Sequence, residues 1–340
     1  MKVNGINARK FLFVAIVVAC LGALVGAAAA VKVKSGSRSP ETFVENDQAN
    51  TARAGGSKVY FTADISPKGL VAVFKALGVQ PQGKVAVKLS TGEPPHSNYL
   101  RPELIKDLVQ SLGGTIVECN TAYGGKRAST ALHLQVAKDH GFTAIADFDL
   151  LDSEGEISLP VSGGEILKED FVGSHFPNYD YYVVLSHFKG HQMAGYGGAI
   201  KNISIGIASS SGKSWIHSGG TRRSGLSGNQ DNFLKSMAEA GKSVSDSLKG
   251  NILYINVMNR LSIDCDCNGY PAEPDIHDIG ILSSFDPVAL DEACIDLIYK
   301  ADGNEKMISR IESRHGLLTL EHAEKIGLGN RGYTLVNIDD

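Results

Sequence analysis

The sequence predicts an α/β fold: a mostly parallel sheet with crossover helices. Three observations carry this. From Val59 onward, short apolar runs of strand length alternate with longer stretches of helical periodicity. The helical stretches open on Ser-Pro, Arg-Pro or Asp-Pro, and several close on glycine. Tyr181–Leu185 is apolar at every position, the pattern of a strand buried on both faces. A chain of 340 residues, 43% hydrophobic and 21% charged, can bury the core such a sheet needs. It suits an α/β domain over 58–338, with two lobes, 58–215 and 216–338, flanking a cleft.

The elements follow in order. Val59–Thr62 reads as the first strand. Ser66 and Pro67 supply an N-cap and a first helical position, opening a helix through Leu77 that Gly78 ends. Lys84–Ser90 alternates around Val85, Val87 and Leu89 as a strand. Arg101-Pro102 starts a second helix, with Leu104, Ile105, Leu108 and Leu112 on one stripe and Gly113-Gly114 stopping it. Thr115–Thr121 is the next strand, Ser129–His140 a third helix closed by Gly141, and Thr143–Phe148 the following strand. Asp152–Asp170 reads as a hairpin or excursion. After the buried run at Tyr181, Ser186–Asn229 is expected to be a long loop region. Phe233–Leu248 is helical, and Ile252–Met258 and Ile279–Phe285 are strands. Asp286-Pro287 caps a helix to Tyr299; two short helices and a last strand, Tyr333–Ile338, complete the pattern. There is no internal repeat.

The N-terminus reads as a targeting segment. Lys2, Arg9 and Lys10 form a positive region, an apolar run follows from Phe11 to Val31, and small residues from Val25 to Ala30 suit a signal peptidase. Residues 1–30 are therefore expected to be a signal peptide or, uncleaved, a membrane anchor. The polar stretch 31–57 reads as a tether. The expectation is an exported protein, periplasmic, extracellular or membrane-anchored. A net charge of −4 offers no basic surplus for phosphates, so a nucleic-acid partner is not expected.

Reactive side chains gather in loops after strands. The segment Ser186–His217 carries His187, His191 and His217 with Lys201 and Lys213 among glycines. Histidine is the commonest nitrogen ligand for zinc, nickel and iron, and a natural acid/base near neutral pH. Gly195, Gly197 and Gly198 are expected to allow positive φ and close approach of a ligand. A second loop carries Cys265, Asp266 and Cys267. The two cysteines are too close in sequence for an easy bridge, so metal binding or two free thiols are expected. Cys119 and Cys294 are expected in the core. A third set, His96 after one strand and Lys126 with Arg127 after the next, offers partners for a small anion such as a carboxylate.

These residues resemble a known family. Ser186-His187-Phe188-Lys189-Gly190-His191, then Gly195–Asn202, the Cys265-Asp266-Cys267 triplet, Asp278–Leu282 and Asp286–Asp291 look like the domain-of-unknown-function family 362. The likeness covers nearly all of Val59–Gly303. Members are often labelled iron–sulfur centre proteins, and many carry a ferredoxin-like insert after the position of His217. Here that position reads Ser218–Arg223 without cysteine, so a 4Fe-4S cluster is not expected.

The stretch from His191 through Gly195-Tyr196-Gly197-Gly198, Lys201 and Gly206-Ile207-Ala208 to His217 is also similar to the lactate racemase family. That resemblance implies His191 as acid/base, Lys201 as the attachment site of a nickel-pincer nucleotide, and His217 as a nickel ligand. The family's other catalytic histidine has no counterpart beside Gly124-Gly125-Lys126-Arg127. The expectation is an exported metal-dependent protein, an enzyme acting on a small hydroxy acid or similar anion. The alternative is a metal-binding or redox-accessory protein without turnover.

Overall fold

The computed structural model describes residues 56–339. The expectations for the leader and most of the tether lie outside them. Among the described residues, no helix is long and apolar enough to cross a membrane.

The centre is one eight-stranded sheet. In chain order its strands are β1 (Ser57–Thr62), β2 (Val85–Lys88), β3 (Thr115–Glu118), β4 (Phe148–Leu150), β7 (Tyr181–His187), β10 (Ile252–Met258), β11 (Gly280–Ser284) and β12 (Tyr333–Asn337). They lie in the order β12-β1-β11-β10-β7-β2-β3-β4. Only β11 pairs antiparallel to its neighbours, so the other strands share one direction. The mostly parallel α/β architecture is thus as the sequence predicts, and the sheet draws strands from both 58–215 and 216–338.

Helices cover both faces. α1 (Pro67–Ala76) and α2 (Pro102–Ser111) lie over one, packing Leu70, Val73, Ile105 and Leu108 against Val85, Val87, Val183, Leu185 and Ile255. The Ser66 hydroxyl caps α1 by accepting from the Gly69 N–H. On the other face, α4 (Ala199–Ile203), α6 (Gln230–Leu248) and α7 (Pro287–Lys300) pack Ile200, Ile203, Val244, Val288 and Ile295 against Ala86, Tyr182, Val184 and Tyr254. Alternate residues of one strand thus serve opposite cores, which is why β7 must be apolar almost throughout. α3 (Thr130–Asp139) follows β3, and α5 (Ser210–His217) precedes α6. α8 (Glu305–Ser313) and α9 (Leu318–Lys325) lead into β12.

Two expectations need correction. Thr143–Phe148 is not a strand: Phe142–Ala144 forms a 3-10 turn after Gly141, and pairing begins only at Phe148. Phe142 is fully buried there, and the Ile145 N–H bonds back to its carbonyl, which curls the backbone. Ser186–Asn229 is not one long loop. β8 (Lys189–His191) and β9 (Gly195–Gly197) form a tight hairpin, and α4 and α5 follow. Glycine hid the hairpin, because a three-residue strand with two glycines carries no alternation to read. The excursion does contain a hairpin, β5 (Glu156–Pro160) with β6 (Glu169–Gly173).

Strand order locates the site. From β2 the chain steps to β3 and β4, then returns to the other side of β2 as β7 and moves on to β10. The carboxyl ends of β2 and β7 therefore border a topological switch point, where open α/β sheets form ligand crevices.

Candidate functional site

A cavity of about 350 Å³ sits at that point. Its wall includes Lys88 from β2, Glu118 from β3, and Ser186 and His187 from β7. The hairpin adds Lys189 and His191, α4 adds Lys201 and Asn202, and α5 adds Lys213 and His217. Cys265, Asp266 and Cys267 close one side.

Asn202 ties the switch point together. Its amide donates to the carbonyls of Lys88 and Leu185, both at 3.2 Å, and its oxygen accepts from Lys88 Nζ at 2.9 Å. Strands β2 and β7 are thereby stapled where they diverge. Asp291, buried in α7, positions α4 in turn: it accepts from the Ala199 and Ile200 N–H groups at 2.7 and 3.0 Å and from Asn256 Nδ2 at 2.7 Å. Gly198 serves this contact, since a Cβ there would lie 2.3 Å from Asp291 Oδ1. Of the three glycines expected to need positive φ, only Gly195 has it, at 81°. Gly198 is required by protein packing, not by ligand approach.

Lys201 reaches the cavity wall from α4. Its amine has no hydrogen-bond or ion-pair partner among the described residues. Burial lowers its pKa to about 7, and the Lys189 ammonium adds to that, against the pull of Asp266. Lys88 is lowered to about 8, again by burial first. A lysine in this range supplies a neutral amine at physiological pH.

Two histidines of the same wall differ in tautomer. His191 Nδ1 accepts from the Met193 and Ala194 N–H groups at 3.1 and 2.9 Å. Its one ring proton in the neutral form is therefore on Nε2, which has no partner among the described residues. Burial, then the charge of Lys201, holds the His191 pKa well below the usual histidine range. The ring is thus a neutral hydrogen-bond donor, the arrangement that lets an imidazole polarise a carbonyl. This does not fit the acid/base role that the resemblance implies, because a second proton would have to enter between Nδ1 and two amides.

His217 is the reverse. Nδ1 donates to the Lys213 carbonyl at 2.7 Å, one turn back in α5, so Nε2 carries the lone pair. The ring stacks on Phe233 with centroids 4.4 Å apart. Burial lowers its pKa to about 4, against the pull of that carbonyl. A histidine fixed by a backbone carbonyl with its other nitrogen free has the form of a metal ligand.

The remaining predicted residues divide. Arg127 lines the cavity but is held by Glu93, Glu118 and Tyr123, at 3.2, 3.0 and 2.7 Å. Lys213 lines it with one bond, to the Ala208 carbonyl at 2.6 Å. Lys126 and His96 do not line it and are exposed; His96 meets Tyr270 edge-on. His187 faces oxygen on both ring nitrogens, Asp266 Oδ1 at 2.9 Å and the Asn259 carbonyl at 2.7 Å. Both nitrogens are thus engaged by protein groups, and neither is free for a metal.

Cys265 and Cys267 are joined as a disulfide. This corrects the expectation that the pair is too close to bridge. The loop turns between them, bonding the Cys267 N–H to Cys265 Sγ and the Asn268 N–H to the Cys265 carbonyl, which brings both side chains to one face. His191 lies beside them: one of its nitrogens and the two sulfurs are all within 4.8 Å of one another. Cys119 and Cys294 are buried free thiols, as expected, although Cys119 also reaches the cavity wall.

Sequence reading missed Lys88 and Glu118. Both are charged residues at the carboxyl ends of buried strands, and that misfit was the available signal. Glu118 is buried yet ionised: His133 at 2.6 Å and Arg127 outweigh the cost of burial and hold its pKa far below the usual carboxylate range. The wall thus sums to a surplus of cations. Even with Lys201 half neutral near pH 7, Lys88, Lys189, Lys213 and Arg127 outnumber the two carboxylates, each already engaged.

No curated protein matches the chain significantly. Among solved structures, the lactate racemase apoprotein of Thermoanaerobacterium thermosaccharolyticum aligns with TM-score 0.39 and 16% identity, over 60% of this chain and 51% of that one. A Thermotoga maritima protein aligns with TM-score 0.40 and 14% identity, over 69% of this chain and 59% of that one. The chain thus spans about half the length of the racemase. A family model matches residues 85–296, the stretch that holds β2 through most of α7 and with them every cavity residue named above, and the chain belongs to that family, the domain of unknown function 362 (DUF362).

Proposed function

We propose that the protein is a metal-dependent enzyme acting on a small anion, a hydroxy acid or its keto counterpart. One observation carries the reading. An unpartnered lysine, lowered to about 7, shares the wall of a cation-rich cavity with a histidine that can only donate and one that can only accept. Cationic walls favour a carboxylate. His191 Nε2 would donate to the substrate's hydroxyl or carbonyl oxygen. Asn202 and Asp291 act by holding Lys201 in place.

The metal is tested by its donors. His217 Nε2 fits a transition-metal ligand, and Lys201 fits a covalent attachment point, so these two residues suit the nickel-bearing group that the racemase-like spacing implies. When bound, that group would supply an electron-pair acceptor for chemistry at the substrate's hydroxyl-bearing carbon. His191 does not fit a proton acceptor, and the histidine of the same wall with a free nitrogen, His217, is assigned to the metal. Racemisation is therefore not part of the proposal. Export remains part of the reading, supported by the positive and apolar segments of residues 1–30.

The test is calorimetric binding of a small 2-hydroxy carboxylate and of its methyl ester. Binding of the acid that is weakened by Lys201→Met and absent for the ester supports the reading. Equal binding of acid and ester, or none of either, contradicts it.

A further inference from the structure

We propose that Cys265 and Cys267 form a redox-active pair that exchanges with small anionic thiols entering the cavity. Three observations support this, none of which depends on the hydroxy-acid reading. First, the bond is on the cavity wall, not in the core. Second, its loop is held in place. The Asp266 carboxylate between the two cysteines bonds His187 and Lys189, and its carbonyl accepts from the Glu93 N–H at 2.7 Å. The hairpin joins it through the Gly190 N–H and the Ser262 carbonyl at 2.8 Å. Opening the bond therefore need not release the loop. Third, the surroundings favour a thiolate. The Cys267 N–H points at Cys265 Sγ, the donor histidine His191 is adjacent, and Lys189 and Lys201 face the same space.

The step balances as ordinary exchange. A small thiolate attacks one sulfur, forming a mixed disulfide and releasing the other cysteine as a thiolate. A second small thiol then displaces the first. The sum is one protein disulfide and two thiols giving one protein dithiol and one small disulfide. A cavity of about 350 Å³ admits a small thiol. Its cation surplus selects thiols that carry a carboxylate. Cys119, on the same wall, is the internal contrast: burial pushes its thiol up to about 12, so it stays protonated and inert.

The experiment uses the full chain, purified without reductant and exposed to glutathione or, separately, to the cationic thiol cysteamine. Samples are acid-quenched, alkylated and mapped by mass. Cys265 and Cys267 should gain label together, and Cys267→Ser treated instead with oxidised glutathione should accumulate a glutathione adduct on Cys265, releasing one glutathione. Glutathione should outpace cysteamine by about tenfold at low salt, and His191→Phe should slow the reaction by a similar factor. Four results would each overturn the proposal: a pair that never reduces, equal rates for the two thiols, two free thiols in the untreated protein, or a metal ion isolated on both sulfurs. The double variant Cys265→Ser/Cys267→Ser separates this from the hydroxy-acid reading. It should abolish the exchange and leave binding of the 2-hydroxy carboxylate in place.

Discussion

Lys201 offers the sharpest quantitative prediction. An ordinary lysine titrates near 10.5, so at pH 7 about one in 3,000 carries a neutral amine. Lys201, lowered to about 7, is half neutral at that pH. Its advantage in neutral fraction is about 1,500-fold. A weaker base is also a weaker nucleophile. With a sensitivity of about 0.5, as for thiolates, the lower basicity costs about 55-fold in intrinsic reactivity, leaving about 30-fold. The assay is limiting pyridoxal phosphate followed by borohydride, on protein whose intact mass shows a bare Lys201, with labelled lysines mapped by mass. Labelling should fall first on Lys201, with a midpoint near pH 7. Lys189→Met removes the largest charge repulsion and should raise the midpoint; Asp266→Asn removes the attraction and should lower it. A midpoint near 10, or labelling at the rate of surface lysines, would refute the assignment.

Three further predictions follow from the same geometry. Because His191 stays neutral as a donor, its titration should not appear in the pH dependence of substrate binding, and Gln at 191 should retain more binding than Phe. His217 takes a proton only near 4 when folded but near 6.5 when unfolded. Its contribution to stability is therefore whole above pH 6.5 and is lost as pH falls toward 4, by about 3 kcal/mol; denaturant titrations of His217→Phe should lack that component. Asp291→Ala leaves two N–H groups and the Asn256 amide without their acceptor, so chemical denaturation should show a loss of about 3 kcal/mol or more. Asp291→Asn should lose less.

Much of the fold was legible because its elements obey local rules. Ser66-Pro67 and Asp286-Pro287 mark helix starts that the backbone adopts, and Ile252–Met258 is β10 residue for residue. The hairpin was not legible: three-residue strands containing glycine have no period, and their shape comes from packing on α8 and from the bond of the Gly190 N–H to the Ser262 carbonyl. The reversed direction of β11 has no local signature either, since pairing partners are set by tertiary contact. At the site, clustering of His191, Lys201, His217, Cys265 and Cys267 could be anticipated from loops after strands. The tautomers could not, because each depends on one backbone group: an amide pair at 193 and 194, and a carbonyl at 213. His96 and Lys126 looked equivalent to Arg127 in sequence, yet the turn after β3 places the Lys126 N–H on Glu93 and its side chain outward.

The central claim is that this cavity works through a group held at Lys201 and His217. Peptide-resolved mass and metal analysis of the protein from its native host tests it most directly. The account predicts a covalent adduct on Lys201 alone and a transition metal that is lost in His217→Ala. An unmodified Lys201 in a protein that retains no metal would contradict it.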